Sequence, residues 1–352
     1  MEVIFLKRSN LEVLDYGFVD SDYQIVIDSV IPQKSTFAVN KQSINADVGD
    51  LLVVKDKEVN YIGIIVSMEE DDKKFDIKVQ TADFISILDI QTKVTSYSGN
   101  LSLYLQQLIN AAYRSNSDPM QNIGYLSIDV DYGVTGSLNF EADTISTISS
   151  LVEILNKAYG IGVFYSLVYT NGRINGVKFH IKNCTSRMKL KSNLAAISNL
   201  VVSNDNTQST NKIVFVPSSE NTSHRTTICY YLLKNGQVVT NALADDRYDT
   251  ICSVTKIYKD NDYDSLLTTA QSEMLASSLE HSITFDLRTD NKVVVPFKDI
   301  GVGDFVTFIT PTKTYSTMVT QITLKNTLAI ASITLGEYRG SLTDKIKLLS
   351  KK

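Results

Sequence analysis

Val48-Gly49-Asp50, in the first part of the chain, recurs as Val302-Gly303-Asp304 in the last part. Each copy follows an extended apolar segment and precedes an alternating strand, a polar turn and a tyrosine. The tyrosine comes 11 positions after the aspartate in both copies, as Tyr61 and Tyr315. A glycine followed by an aspartate is typical of a tight turn that enters a strand, because glycine permits a positive φ and aspartate caps its own backbone.

This repeat predicts two related small β-barrels, one in each terminal region of the chain. A chance coincidence between two stretches of β-pattern is the alternative explanation, and superposition of the two regions would decide between them. The residues that we assign as the structural turns of the repeated barrel are Gly49, Asp50, Tyr61, Gly303, Asp304 and Tyr315.

The pattern of apolar residues elsewhere is mostly that of strands. Short, partly alternating apolar runs separated by turn residues are typical of half-buried strands. Helical periodicity occurs only over residues 101–112, from Asp143-Thr144 to a cap at Gly160, and from Asp264 to about Leu279, where His281 closes the helix. The third helix is expected to place Leu266, Leu267, Ala270, Met274 and Leu275 on one face.

Strands between and after the first two helices indicate an inserted α/β unit. They are predicted at residues 125–130, 162–170 and 177–182, with turns at Asn171-Gly172 and Asn175-Gly176. The predicted fold class is therefore mainly β (α+β), with two related small β-barrel domains and an inserted α/β domain. The predicted domains are an N-terminal β-barrel at 1–92, the α/β insertion at 93–198, a β-rich segment at 199–262, and a helix with the second barrel and a short tail at 263–352.

Composition and charge narrow the class of protein. Of 352 residues, 43% are hydrophobic and 21% are charged, which is typical of a folded globular chain and not of a disordered one. The formal net charge is −5 and no basic stripe occurs, so the sequence does not predict a surface that holds nucleic acid. Apolar runs are of strand length, too short to span a bilayer, and residues 1–6 do not have the pattern of a signal peptide. The charged residues 69–74 are expected to form a hairpin loop.

The residues that usually carry chemistry are few and scattered. Three cysteines, at positions 184, 229 and 252, fit neither a zinc pattern nor a disulfide framework, and buried free thiols are expected. Three histidines, at positions 180, 224 and 281, show no metal-binding spacing. Asp129-x-Asp131-x-Gly133 faintly suggests a calcium loop, but its glycine comes one position early and Phe140 stands where a glutamate belongs. We therefore predict no catalytic residue, no cofactor and no bound metal.

The repeated barrel pattern, with residues 230–238 (Tyr-Tyr-Leu-Leu-Lys-Asn-Gly-Gln-Val) ahead of a new helix, resembles the baseplate hub proteins of tailed bacteriophages. It is most similar to the N-terminal hub region of the tail-associated lysin family, also called prophage endopeptidase tail proteins. The resemblance covers essentially the whole chain and depends on the order and spacing of its motifs. After Ser341 only eleven residues remain, so the resemblance does not extend to the C-terminal lytic module, and we do not expect an enzyme.

The resemblance implies a homotrimer whose two barrels per subunit make a ring of six modules at the end of the tail tube. It implies a location at the virion tail tip after synthesis in the bacterial cytoplasm, without a signal peptide. The implied partners are a distal tail protein or tube ring, the tape-measure protein, and receptor-binding or tip-fibre proteins. DNA would contact the protein only in transit through the channel, and the negative charge is compatible with its release.

Three other functions remain open at this point. A tail-tip cell-wall hydrolase would need acid–base or metal residues that the sequence does not bring together. A glycan-binding adhesin could use some of the 18 tyrosines, although tyrosine is equally common in strands and cores. A spike hub of a bacterial secretion system belongs to the same structural class as the phage hub.

Overall fold

The computed structural model describes residues 1–28, 34–41, 43–55, 59, 61–71, 76–138, 140, 145–183, 188–204, 210–233, 237–248, 251–277, 281–291, 293–296, 299–325 and 329–336. Several sequence predictions lie outside these residues: positions 72–74 of the predicted hairpin loop, the helix start at Asp143-Thr144, Cys184, Leu279 and the tail after residue 336. The chain divides into two compact units, Met1–Leu200 with Thr284–Leu335, and Val201–Ile283. The domain boundaries predicted from the sequence stay a prediction.

Six strands in the first part of the chain form a closed barrel. They are β1 (Glu2–Leu6), β2 (Val13–Asp28), β3 (Lys34–Asn40), β4 (Leu51–Lys55), β5 (Ile62–Asp71) and β6 (Asp76–Asp83). Their order is β1-β4-β5-β6-β3-β2, and antiparallel pairing of β1 with β2 closes the ring. In β3 buried and half-exposed residues alternate, so that Phe37 and Val39 point to the core, as expected for a strand with one buried face.

An α/β layer follows the first barrel. Its elements are β7 (Gln91–Lys93), β8 (Tyr97–Asn100), α1 (Leu101–Tyr113), β9 (Leu126–Val130), β10 (Thr135–Leu138), β11 (Ile145–Thr147), α2 (Ile148–Tyr159), β12 (Ile161–Thr170) and β13 (Arg173–Asn183). Asn100 caps α1 through the amide of Leu103, and Thr147 caps α2 through the amide of Ser150. Strands β12, β13 and β9 form a three-stranded sheet, in which β13 and β9 are parallel.

The helices of this layer bury the apolar stripes that the sequence predicts. Leu101, Leu105 and Ile109 of α1 are completely buried, and they share one core with residues of β9, β12, β13 and the first barrel. In that core the ring of Phe84 lies 5.9 Å from the ring of Phe179 and 6.2 Å from that of Tyr165. The first barrel and the α/β layer are therefore joined by continuous apolar packing.

The remaining strands form a second six-strand module and a separate small sheet. In chain order they are β14 (Met188–Lys191), β15 (Ile197–Asn204), β16 (Lys212–Pro217), β17 (Ile228–Leu232), β18 (Val238–Val239), β19 (Ser253–Tyr258), β20 (His281–Arg288), β21 (Phe305–Ile309), β22 (Thr314–Lys325) and β23 (Ile330–Gly336). The second module has the strand order β14-β21-β22-β23-β20-β15. Its strands occupy, one for one, the positions that β1-β4-β5-β6-β3-β2 occupy in the first barrel. It differs at the first position, because β14 runs parallel to β21 whereas β1 runs antiparallel to β4.

The second unit is built on the four-stranded sheet β18-β17-β16-β19. Helix α3 (Leu266–Ser277) packs on this sheet, and Leu266, Ala270 and Met274 are buried with Phe215 and Tyr230. The prediction that Leu267 joins the same apolar face is wrong, because its side chain is 43% exposed.

The structure confirms the mainly β class with an α/β insertion, and it corrects three local predictions. Asn171-Gly172 joins β12 to β13 as predicted, but Asn175-Gly176 lies inside β13. A register shift there omits Asn175 from the ladder, and its side-chain amide donates to the Thr170 hydroxyl of β12 at 2.6 Å. His281 does not close the third helix; it begins β20. Residues 69–71 of the predicted hairpin loop extend β5, and their pairing with β6 outweighs the local charge pattern.

Candidate functional site

Four backbone or side-chain hydrogen bonds of the first Gly-Asp turn recur in the second, and the Arg8 amide adds a fifth to the Asp50 carboxylate at 3.2 Å. Gly49 has a φ of 101°, and its amide donates to the carbonyl oxygen of Ile65 at 2.8 Å. The amide of Ile65 donates in return to the carbonyl oxygen of Asp50, also at 2.8 Å. The turn itself closes through the amide of Asp50 and the carbonyl of Asp47 at 3.1 Å, and the Asp50 carboxylate accepts from the Asp47 amide at 3.0 Å.

The second Gly-Asp turn makes the same set of bonds. Gly303 has a φ of 90°, and its amide donates to the carbonyl oxygen of Val319 at 2.7 Å. The amide of Val319 donates to the carbonyl oxygen of Asp304 at 2.9 Å. The Asp304 amide donates to the carbonyl of Gly301 at 3.2 Å, and the Asp304 carboxylate accepts from the Gly301 amide at 2.7 Å.

The strand register around the two turns is also the same. Each residue of the second copy stands 254 positions after its counterpart, so β21 and β22 pair as β4 and β5 do. Ile65 pairs with Thr81 before a register shift in the first copy, and Val319 pairs with Leu335 before a shift in the second. A bulge at the same position in both copies is a specific feature of strand geometry, so this register supports the duplication that we proposed from the sequence.

The two repeated tyrosines have different surroundings. Tyr61 is completely buried, and its hydroxyl lies 2.7 Å from the hydroxyl of Thr81. Burial raises the pKa of Tyr61 well above its ordinary value. The position of Thr81 is taken by Leu335 in the second copy, where the ring of Tyr315 lies 4.8 Å from the ammonium group of Lys313. The tyrosine spacing therefore marks a shared fold position with a different local contact in each copy.

The second turn is more enclosed than the first. A Cβ placed on Gly303 would come within 2.9 Å of the ring of Phe164 in β12, whereas a Cβ on Gly49 would meet no atom within 4 Å. Burial raises the pKa of the Asp304 carboxyl, and the amide of Gly301 and the charge of Lys182 partly oppose this shift. The α/β layer therefore packs over the second turn and leaves the first one open.

The two modules are joined by direct strand pairing. Residues Gln24 to Asp28 of β2 pair antiparallel with Gln321 to Lys325 of β22. Apolar side chains at this joint are buried, with Ile25 and Val26 of β2 and Ile322 and Leu324 of β22 at 1% exposure or less. The joint makes one continuous sheet from the first barrel into the second module.

Three polar side chains that the sequence did not bring together meet on the sheet of the α/β layer. The Ser166 hydroxyl lies 2.7 Å from Nε2 of His180, and Nδ1 of His180 lies 3.4 Å from a carboxylate oxygen of Asp129. Burial lowers the pKa of His180, and nearby Lys182 lowers it further, while Asp129 opposes the shift. Parallel pairing of His180 with Asp129 across β13 and β9 creates this neighbourhood, and no motif in the sequence signals it.

This cluster does not have the geometry of a serine hydrolase. A nucleophilic serine is normally presented on a sharp turn, beside backbone amides that stabilise an oxyanion. Ser166 instead lies inside the regular antiparallel ladder of β12 and β13, opposite Lys178. The Nδ1 atom of His180 also makes no hydrogen bond, despite its distance from Asp129, whose side chain is 64% exposed. The cluster is best explained as a polar contact across the sheet.

The remaining candidate residues have structural contacts. His224 lies in a loop, as predicted, and its ring stacks on Tyr263 at 3.8 Å between centroids. Cys229 and Cys252 are free thiols and are half-buried, so the expectation of full burial is wrong for both. Within the described ranges, no three His, Cys, Asp or Glu side chains are placed to hold a metal ion, and no helix is long and apolar enough to cross a membrane.

Comparison with known proteins finds similar architectures among solved structures. No protein-family description and no curated protein sequence matches the chain. Among solved structures, a chain of the phage p2 virion baseplate in its activated conformation matches with a TM-score of 0.52 and 11% identity, over 97% of this chain and 100% of that one. A 43 kDa tail protein of prophage MuSo2 from Shewanella oneidensis matches with a TM-score of 0.57 and 10% identity, over 95% and 98% of the two chains.

The chain has the fold of phage baseplate and tail proteins. The resemblance stated from the sequence is therefore confirmed at the level of fold. The matched structures are baseplate and tail proteins, and each match covers nearly the whole length of both chains. A chain of the Francisella PdpA–VgrG complex matches as well, with a TM-score of 0.51 and 10% identity, over 97% of this chain and 58% of that one.

Proposed function

We propose that this protein is a structural hub of a phage or prophage baseplate, which forms a homotrimeric ring at the end of the tail tube. The observation that carries the proposal is the paired module: two six-strand modules with the same strand order, turn and bulge lie in one chain. Three such subunits present six similar modules, which matches a sixfold tube above a threefold tip.

The hub function assigns a role to each part of the chain. The modules would continue the tube, while the α/β layer and the small four-stranded sheet would close the channel and contact the tip. The proposed partners are a distal tail protein or tube ring, the tape-measure protein, and receptor-binding or tip-fibre proteins. The proposed location is the virion tail tip, and DNA would pass through the ring during ejection.

The direct test is the mass of the full chain in solution. Light scattering after gel filtration should show a species of three times the 39.1 kDa subunit. Mixing with purified tube protein should retain that stoichiometry at the tube end in electron micrographs. A protein that stays monomeric at high concentration, both alone and with the tube protein, contradicts the hub proposal.

We propose further that the chain acts in assembly and not in cell-wall lysis. The Ser166–His180–Asp129 cluster is the arrangement closest to a hydrolase, and it lies in an extended ladder without a nucleophile turn. Purified protein should release no sugar or peptide from bacterial cell walls above a buffer control. Turnover that disappears in a Ser166→Ala variant would establish the hydrolase alternative.

The secretion-system spike is the second candidate, and the VgrG match favours keeping it. The two candidates differ in the partner that the ring contacts. Tail-tube protein and tape-measure protein encoded beside this chain, and co-purifying with it, would support the baseplate. Co-purification with a contractile secretion sheath and secreted effectors would support the spike instead.

A further inference from the structure

The joint between the two modules uses one edge from each of them. The second half of β2, Gln24 to Asp28, extends beyond its pairing with β1 and pairs with the second half of β22. The partner segment of β22, Gln321 to Lys325, lies beyond the bulge that follows Val319. Because every pair around this bulge is repeated in the first barrel, the β22 half of the joint has a counterpart in register, and the β2 half has one in the strand order.

The counterpart of the β22 edge is the second half of β5. Residues Ser67 to Asp71 correspond to Gln321 to Lys325, and they pair with β6 on one side as β22 pairs with β23. On the other side β4 pairs only with Ile62, Gly63 and Ile64. Within the part of the chain that the structure describes, no strand pairs with that side of β5 beyond these residues.

The counterpart of the β2 edge is the second half of β15. β15 lies beside β20 as β2 lies beside β3, and among the described residues it is the last strand of its sheet. Both strands are irregular before their second halves: β2 has a register shift between Val19 and Tyr23, and Asn199 of β15 has a φ of 52°. The next residues of β15 expose apolar side chains, with Leu200 at 37% and Val201 at 60% exposure.

We propose that the β15 edge of one subunit pairs antiparallel with the β5 edge, Ser67 to Asp71, of the next subunit. The occupant of each edge is thus a second copy of this chain, and the intersubunit joint repeats the β2–β22 joint within the chain. This inference rests on the proposed hub function and specifies the interface that makes the ring. Pairing would satisfy the backbone groups along the β15 edge, as pairing with β2 satisfies those of β22 in the intramolecular joint.

The arrangement makes a ring and not a two-fold dimer. Each subunit carries one edge of each kind, and a head-to-tail contact between unlike edges generates a closed ring when its rotation closes.

The charges of the two edges favour the same pairing. The β5 edge carries the exposed Glu69 and Glu70, so two β5 edges would place like charges against each other. Residues 197–204 of β15 carry no charged side chain and can accept the acidic edge.

The experiment is a charge-block and charge-rescue series on the full chain, with assembly measured by mass photometry and sedimentation. Val201→Glu places a carboxylate on the β15 edge opposite the acidic β5 edge. It should raise the protein concentration at half-assembly about tenfold or more. Ile257→Glu is the matched control, because Ile257 is 75% exposed in a strand outside both edges, and it should assemble like the parent.

The rescue variant combines Val201→Glu with Glu69→Lys and Glu70→Lys, and it should restore assembly because opposite charges then face each other. Thermal melts of all variants check that the subunit remains folded, which is expected since the substituted side chains lie on the surface. A parent protein that forms trimers while Val201→Glu assembles normally overturns this interface and leaves the hub proposal intact. A parent protein that remains monomeric both alone and with the tube protein contradicts both proposals.

Discussion

Phe164 lies directly over Gly303, so that a Cβ on this glycine would come 2.9 Å from Cζ of the phenylalanine ring. The glycine therefore has two requirements, a positive φ of 90° and the close approach of an aromatic ring. Its counterpart Gly49 has only the first requirement, because its φ is 101° and a Cβ at this position would have no neighbouring atom within 4 Å. Comparison of Gly303 with Gly49 therefore distinguishes the cost of a positive φ from the cost of the close contact with the Phe164 ring.

Gly303→Ala should destabilise the protein more than Gly49→Ala. Both variants strain a left-handed backbone, by about 1–3 kcal/mol, and only Gly303→Ala adds overpacking, of about 1–3 kcal/mol. Urea unfolding followed by fluorescence measures both free energies. Phe164→Leu introduced beside Gly303→Ala should recover part of the loss. Equal losses in the two alanine variants would show that Phe164 moves aside freely.

Tyr61 and Thr81 should behave as a coupled pair. Tyr61→Phe removes a buried hydrogen bond and should lower the free energy of unfolding by roughly 1 kcal/mol, with a positive coupling to Thr81→Val in a double-mutant cycle. Tyr132→Phe is the control, because Tyr132 is 71% exposed and should have no effect. Purely additive losses from Tyr61→Phe and Thr81→Val would argue against the bond.

Tyr61 should also contribute to alkaline sensitivity. Burial raises the pKa of Tyr61 in the folded protein above that in the unfolded chain, so the unfolded state loses its proton first. Folding stability from this group is therefore complete below about pH 10 and falls as the pH rises further. Tyr61→Phe should flatten the decrease in melting temperature above that pH. A melting temperature that falls equally in parent and variant would contradict this prediction.

His180 should titrate below the ordinary range for histidine. Burial and the charges of Lys182 and Lys178 lower the pKa of His180, whereas Asp129 raises it, so Asp129→Asn should lower the pKa further. The unfolded chain takes up this proton more readily, so stability from this group is lost as the pH falls below about 6.5. Heteronuclear NMR of ¹³C-histidine-labelled protein can follow the titration, because the chain has only three histidines. A rise in the His180 pKa in Asp129→Asn would refute the assignment.

Asp260 should hold the loop that contains His224. Its carboxylate accepts the amides of Thr222, Ser223 and His224 at 3.0–3.2 Å, and the bond from Thr222 is the largest factor that lowers the pKa of Asp260. Asp260→Ala should increase hydrogen exchange at these amides, because their acceptor is lost. The stabilisation is present above the unfolded carboxyl pKa of about 3.9 and disappears as the pH falls through the lower folded value.

The control for the loop is Asp245→Ala, since Asp245 belongs to another segment of the chain. Hydrogen exchange of peptides that cover residues 218–227 should increase in Asp260→Ala and remain unchanged in Asp245→Ala. Unchanged exchange in both variants would show that the stacking of His224 on Tyr263 is sufficient to order the loop.

The sequence predicted correctly those elements whose pattern of residues lies within a few positions along the chain. The apolar stripe of α1 and the cap of α2 at Gly160 could be predicted because a helix makes its contacts three and four residues apart. Where a local signal competed with strand pairing, the local prediction failed. Asn175-Gly176 has the composition of a turn, but cross-strand hydrogen bonds with β12 hold it in an extended strand with a bulge.

The sequence by itself determined the mainly β class, the two Gly-Asp turns as candidates for a repeat, and the likeness to phage hub proteins. These features depend on residue types and on spacing along the chain. Only the tertiary structure decided that β2 pairs with β22, that both copies share one bulge, and that Ser166, His180 and Asp129 meet on one sheet. The β2–β22 pairing and the approach of His180 to Asp129 join strands that are far apart in the chain, where side-chain alternation indicates which face is buried but not which strand is the neighbour. The shared bulge and the Ser166–His180 contact lie within hairpins, and they depend on the exact cross-strand register.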